Sequence, residues 1–177
     1  AIVGAGHVEG MRKALKEGRN EDLSELEEIP PISPIVKIIG WGIPALIIGS
    51  IAYIGFTKGS DAAGDNALFW ILANGIPCAI GAIAALANPL TIIAAFLSAP
   101  ITSLTPVIGA GYVTAFVQVM VAPPVVKEFQ QVSDDAGSAR GWWNNKLLRV
   151  LLVFLFTSLG SMLGTYVGAY EIISNLF

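Results

Sequence analysis

The sequence predicts an all-α polytopic membrane domain of about four long transmembrane helices plus a short broken or re-entrant segment. A short strand-turn-helix remnant of a soluble α/β domain precedes it. Three observations predict this. Of the 177 residues 54% are hydrophobic and only 13% charged, with a mean hydropathy of +0.69, whereas about 25% of a soluble domain is charged. Charge is also missing in blocks: none falls between Ile38 and Thr57, none in the 61 residues from Asn66 to Val126, and none between Val150 and Tyr170. A helix needs about 20 apolar residues to cross the hydrocarbon core, so each block holds at least one crossing. Finally, the polar residues collect ahead of the first block and between Lys127 and Lys146.

The elements follow in chain order. Ala1-Ile2-Val3 is a short apolar run that ends in the glycine turn Gly4-Ala5-Gly6-His7-Val8-Glu9-Gly10, and Met11, Ala14 and Leu15 then recur at helical spacing. Asn20 caps a second helix, with Glu21 and Asp22 in its first turn, where the helix dipole favours negative charge. Residues 1–28 therefore read as the end of a soluble domain, and the chain as the C-terminal part of something longer. Pro30, Pro31 and Pro34 make residues 29–34 a stiff linker, because proline removes backbone donors and disfavours helix at the residue before it. The membrane domain is expected over 35–177. Its first helix runs over 35–56, between Lys37 and Lys58, and a polar loop over Gly59 to Asn66 leads to a second over 67–87.

The uncharged stretch after Asn88 is too long for one crossing and slightly short for two. Asn88-Pro89 can cap and start a helix, expected to Leu97. Ala99-Pro100-Ile101-Thr102-Ser103-Leu104-Thr105-Pro106 then places two prolines around hydroxyl side chains, so 89–104 reads as a broken or re-entrant segment, followed by a longer helix over 106–122. Irregular backbone at membrane depth is tolerated only when shielded by protein or lining a watery cavity. The break is therefore a re-entrant tip or a buried corner. Lys127 to Lys146, with Trp142-Trp143, suits an interface, and a last helix spans 147–172.

Function classes narrow accordingly. Ten Lys and Arg against thirteen Asp and Glu give a net charge of -3, so no basic surface exists to hold nucleic acid; the partner is the lipid bilayer. A single Cys78 excludes an intramolecular disulfide and a cysteine metal cluster. Gly4-x-Gly6-x-x-x-Gly10 is a loosened dinucleotide fingerprint, but it lacks the second βα unit and the acidic ribose partner; it reads as a tight structural turn. His7, the one histidine, could ligate a metal, move a proton or make a structural hydrogen bond, and a catalytic zinc needs about three protein ligands. Gly160, Gly164 and Gly168 line one face of the last helix, where a neighbouring backbone can approach. That neighbour is a second copy in a homo-oligomer or a helix of the same protomer. Gly42-Ile43-Pro44 and Gly75-Ile76-Pro77 hint at a repeat offset by 33 residues. The prolines 100 and 106, with Thr102, Ser103 and Thr105, offer freed carbonyls and hydroxyls to ions or polar solutes, without the charge that marks a proton relay or ion pump.

Taken in order, Ile2 to Gly10, the proline linker, Ala99 to Pro106 and the closing helix with its Asn144-Asn145 lead-in resemble the C-terminal half of the TraB/PrgY family, the pheromone-shutdown proteins. The family is a distant relative of the TIKI and GumN proteins, metal-dependent proteases among them, with active sites described by two Gly-x-x-His motifs. Gly4-Ala5-Gly6-His7 matches one; the other copy is not in this chain. The resemblance implies a catalytic or metal-ligating role for His7 on the turn of Gly4 and Gly6, and a divalent metal in the full-length protein, here a candidate metal-dependent peptidase. It implies equally that this stretch alone is not active. Its partners would be its own N-terminal domain and a peptide signal, and its work anchoring a domain that inactivates or sequesters that signal. The rival reading is a transporter or channel built around the break from Pro100 to Pro106.

Overall fold

The computed structural model describes residues 4–17 and 33–176. It divides into two units, residues 1–33 and 34–177. The expected strand at Ala1 to Val3, the helix expected from Asn20, and Pro30 and Pro31 lie outside the described residues.

In the first unit a 3-10 turn over Ala5–His7 closes when the His7 N–H donates to the Gly4 carbonyl at 3.0 Å. Helix α1 follows over Val8–Glu17. It starts earlier than Met11 with Glu9 in its first turn, where the dipole favours a carboxylate. Its Lys13–Glu17 pair stands 4.0 Å apart one turn along the helix, and an exposed pair of this kind contributes little.

The second unit is helical throughout, with no strand among the described residues. Helices α2 (Pro34–Lys58), α3 (Ser60–Ala84) and α9 (Lys146–Ser174) are long and apolar enough to cross a membrane. Helices α4 (Pro89–Thr102) and α5 (Ala110–Val121) are apolar but only 14 and 12 residues long. Three short helices, α6 (Val126–Gln130), α7 (Val132–Ala136) and α8 (Ala139–Asn144), fill the polar stretch before α9. Large apolar side chains are exposed on every long helix, among them Ile38, Phe56, Ile80 and Leu163. Of the two buried clusters, by contrast, one is largely alanine, with Ala82, Ala85, Ala95, Ala99 and Ala110 beside Cys78 and Val153, while the other joins Ile47, Ile54, Trp70 and Ile172. Small residues inside and large ones outside let helices approach closely, the arrangement expected where lipid rather than water surrounds the bundle.

Four boundaries differ from the sequence expectation. The polar loop over Gly59 to Asn66 is a turn of one residue. Gly59 sits at φ 97, a conformation that glycine adopts without strain, and α3 begins at once with Asp61 in its first turn and Asn66 Nδ2 donating to the Ala62 carbonyl at 2.8 Å. Helix α3 ends at Ala84 rather than Ala87 because Leu86 turns left-handed at φ 53, and the Ala87 N–H closes the end onto the Ala82 carbonyl at 3.0 Å. Helix α4 does not stop before Pro100 but runs through it to Thr102, so the break is Ser103 to Gly109. The following helix starts at Ala110 instead of Pro106 and is too short for a full crossing. Among the described residues the helices long and apolar enough to cross a membrane are therefore three, where about four were expected.

The ends of the bundle are pinned by polar side chains. At one end Asn145 caps α9, accepting from the Leu147 N–H at 2.9 Å, while its amide donates to the Glu128 carbonyl and to Asp135 Oδ2. Trp143 Nε1 donates to the Ala84 carbonyl at 2.8 Å, which ties the short helices to the end of α3. At the opposite end Lys58 Nζ donates to the Asn175 carbonyl, and Asn175 Nδ2 to Asn66 Oδ1 at 3.0 Å.

Candidate functional site

Proline and glycine build the middle of the bundle together. Pro77 lies inside α3 and has no N–H to give the Ala73 carbonyl one turn back. The atom nearest to a Cβ added at Gly164 of α9 is that same Ala73 oxygen, well inside van der Waals contact. The pattern recurs at α4. Pro100 leaves the Phe96 carbonyl without its helical partner, and a Cβ at Gly75 would stand 2.9 Å from the Phe96 oxygen. Each glycine lets a neighbouring helix bring Cα–H to a carbonyl that proline has freed, a weak but recurrent contact. Gly160 meets the Pro77 carbonyl and Gly168 the Trp70 ring. All three glycines of the last helix therefore face α3 of the same protomer.

This close approach brings polar side chains into one junction. Asn74 is fully buried. Its Nδ2 donates to the Trp70 carbonyl at 3.0 Å, and its Oδ1 accepts from Ser103 Oγ at 2.8 Å and Thr165 Oγ1 at 3.0 Å. Ser103 Oγ also lies 2.7 Å from the Ala99 carbonyl and 3.0 Å from Ser161 Oγ. One hydroxyl has one proton, so when Ser103 donates to Asn74 the Ser161 hydroxyl is placed to donate to Ser103. Trp70 Nε1 donates to the Pro100 carbonyl at 3.1 Å. Further along the bundle Thr114 Oγ1 and Thr157 Oγ1 are 2.7 Å apart. Gln118 Oε1 accepts from Thr91 Oγ1 at 2.8 Å and from the Asn88 N–H at 3.0 Å. The row is neutral throughout; it offers donors and acceptors, and no group that would act as acid or base near pH 7.

The break sits halfway along α3. Ser103 touches Asn74, and at 1.5 Å per residue Asn74 is about 15 Å from the Ala84 end of its helix and about 21 Å from the Ser60 end. Helices α4 and α5 thus run in from the Ala84 end, turn at mid-height and run back.

The residues singled out from the sequence fare differently. Ser103 joins the junction, and Pro100 does so through its carbonyl. Thr102 Oγ1 only bonds back to the Ser98 and Ala99 carbonyls, and Thr105 Oγ1 to those of Thr102 and Ile108. Pro106 lies on the exposed tip against Gly40 of α2. His7 is exposed, Gly6 faces open space, and a Cβ at Gly4 would make ordinary contact with the His7 ring. No group of three His, Cys, Asp or Glu able to hold a metal ion occurs among the described residues. One exposed imidazole does not make up the ligand set of a catalytic metal. Sequence reasoning passed over Asn74, Trp70, Ser161 and Thr165. The signal was there in Asn74, an amide one helical turn beyond Trp70 in the uncharged stretch that starts at Asn66, since polar side chains between apolar helices act as hydrogen-bonding glue.

Residues 35–177 match the family model described as "TraB family protein, C-terminal domain". The chain belongs to the TraB family. It is also 34% identical over 179 residues to an uncharacterised protein of Methanocaldococcus jannaschii, an alignment that takes in 94% of this chain and 44% of the relative. The chain thus spans less than half the length of that curated relative. No solved structure matches it. Within the TraB C-terminal domain, then, the proline-freed carbonyls, the glycine stripe and the Asn74 junction all fall inside the matched residues, while His7 falls outside them.

Proposed function

We propose that this chain is the multi-pass membrane anchor of a TraB-type protein that inactivates or sequesters a peptide signal, as the name pheromone shutdown implies. The observation that carries the reading is the match to the family's C-terminal domain over the same residues that form three long, lipid-compatible helices. The peptide-directed activity would belong to the rest of the longer protein, with His7 on the turn of Gly4 and Gly6 as a candidate ligand or catalytic group there, and a divalent metal as its cofactor. Deleting the chain after Pro34 should then move the protein from a carbonate-washed membrane pellet to the soluble fraction. Recovery of the deleted form in the pellet would overturn the anchoring reading.

The ends of the bundle also carry a topology. Lys37, Lys127, Arg140, Lys146 and Arg149 group at the Ala84 end and Lys58 alone at the other, and an excess of Lys and Arg marks the cytoplasmic side. This puts the start of α2 inside and Asn175 outside. Impermeant labelling of single cysteines at positions 61 and 138, in a Cys78→Ala background, should reach them from opposite faces; access to both from one face counts against three crossings.

A second reading, a pathway for ions or small polar solutes, is favoured by one observation. Two half-length helices, α4 and α5, meet at a non-helical tip beside the Asn74 junction, and half-helices meeting at mid-depth form the binding sites of many transporters. Solute flux through liposomes holding the purified chain would support this reading; tight liposomes support the anchor.

A further inference from the structure

The break between α4 and α5 leaves backbone groups of both kinds unpaired. Among the described residues the N–H groups of Val107, Ile108 and Gly109 meet no acceptor, and the carbonyls of Ser103, Leu104, Thr105, Pro106 and Val107 receive no donor. Thr105 to Gly109 are also exposed. On the reading that this chain spans a membrane, irregular backbone inside it is covered by protein or lines water. The mixture of groups chooses between these. Lipid tails and apolar side chains offer neither donors nor acceptors, and an ion answers groups of one sign only. Water answers both. Its route follows from where the break stands. Ser103 donates to Asn74, about 15 Å from the Ala84 end of α3. Pro106 stands against Gly40, 3.0 Å from where a Cβ would be, and Gly40 is about 9 Å along α2 from Pro34. The break therefore slopes from mid-height toward the face on which α2 begins. On that side α2 is open: its residues from Pro34 to Ile43 are exposed except Gly40, and nothing lies within 4 Å of Gly42. Lys37 stands one turn nearer to that face than Gly40. Toward the other face Ile47, Ile54, Trp70 and Ile172 form a buried apolar cluster with Leu104 packed against it.

We propose that the break lines a one-sided aqueous vestibule, open on the face where α2 begins and closed at the Asn74 junction, which admits water and small hydrophilic molecules. It rests on the membrane reading given above and gives the polar-solute reading its open side. Water in the vestibule pairs the free N–H and carbonyl groups from Ser103 to Gly109, and the cluster of Ile47, Ile54, Trp70 and Ile172 stops it from crossing to the Asn175 end.

A small, membrane-impermeant anionic thiol reagent tests this on the full chain in sealed vesicles of either orientation, with single substitutions in a Cys78→Ala background. Val107→Cys and Ile108→Cys probe the break, Asp61→Cys and Ser138→Cys mark the two faces, and Leu163→Cys, exposed on the outer side of α9, marks lipid. Both break positions should react several-fold faster than Leu163→Cys, and only from the face that labels Ser138→Cys. Break positions as slow as Leu163→Cys overturn the proposal, because lipid or protein then covers the loop. Reaction from the face that labels Asp61→Cys also overturns it, because the vestibule is then open on the wrong side. The membrane reading has its own signature of failure: Leu163→Cys reacting as fast as Ser138→Cys, or Asp61→Cys and Ser138→Cys labelling from one face, overturns that reading and the proposal together.

Discussion

Helices α2 and α9 both pack on α3 and have the same mean hydropathy, yet they meet it in different ways. Along α9 the contact is made of glycine, hydroxyls and backbone. Gly160, Gly164 and Gly168 stand on α3 atoms, and Ser161 and Thr165 reach the Asn74 junction. Along α2 it is made of Ile47 and Ile54, with most of the helix turned outward, and 17% of its apolar window is buried against 44% for α9. The matched motifs show the same split. Gly75-Ile76-Pro77 of α3 presses Gly75 against Phe96 of α4, whereas Gly42 of the equivalent Gly42-Ile43-Pro44 in α2 has nothing within 4 Å. Apolar character alone places a helix in lipid. Small residues and satisfied polar groups decide which neighbour it holds, because lipid competes for any apolar face equally well.

Matched substitutions sharpen this comparison. Gly164→Leu forces a branched side chain onto the Ala73 carbonyl, which cannot rotate away, and should cost about 3 kcal/mol or more. Gly49→Leu on the open face of α2 should stay within about 0.5 kcal/mol. Denaturant titration in mixed micelles compares the two, and equal losses would remove the distinction between the seams. The motif pair gives a smaller test with opposite signs. Gly75→Ala should destabilise by about 1–2 kcal/mol through overpacking on Phe96, while Gly42→Ala should stabilise by up to about 1 kcal/mol through helix propensity. Thermal melts that move in the same direction for both would show that the two motifs are not packed differently.

Breaking the junction itself should have an effect of similar or smaller size. Asn74→Ala leaves Ser103 and Thr165 without their shared acceptor and should cost about 1–2 kcal/mol, since interhelical hydrogen bonds in membranes are modest. The loss should nearly vanish in an Asn74→Ala, Ser103→Ala, Thr165→Ala background compared with the Ser103→Ala, Thr165→Ala parent; a loss that persists there would show that Asn74 acts through packing. The smallest effect lies away from both seams. Leu86→Gly relieves a left-handed leucine and should stabilise by at most about 1 kcal/mol, read as a rise in melting temperature of a few degrees.

Much of the fold was legible because hydropathy and charge are properties of each residue. The three uncharged blocks marked the long helices, and Asn88-Pro89 marked the start of α4 where Asn88 Oδ1 does accept from the Leu90 N–H at 3.0 Å. The break was harder to place. Pro100 looked like a stop because proline forfeits a helical hydrogen bond, but the Phe96 carbonyl it frees is met by Gly75 from another helix, a compensation 21 residues away in the chain. The polar loop before α3 misled for a similar reason. Asp61, Asp65 and Asn66 read as loop residues, but Gly59 alone turns the chain.

By itself, then, the sequence determined that this chain is built of helices apolar enough for a bilayer, roughly where the long ones lie, and which family it resembles. Each of these depends on local composition and spacing. Only the tertiary structure decided that the glycine stripe of α9 faces α3, that Asn74, Ser103, Ser161 and Thr165 converge, and that α4 and α5 turn back at mid-height. Those depend on which helix stands beside which, and that is set by backbone approach and hydrogen-bond pairing between residues as far apart as Asn74 and Thr165.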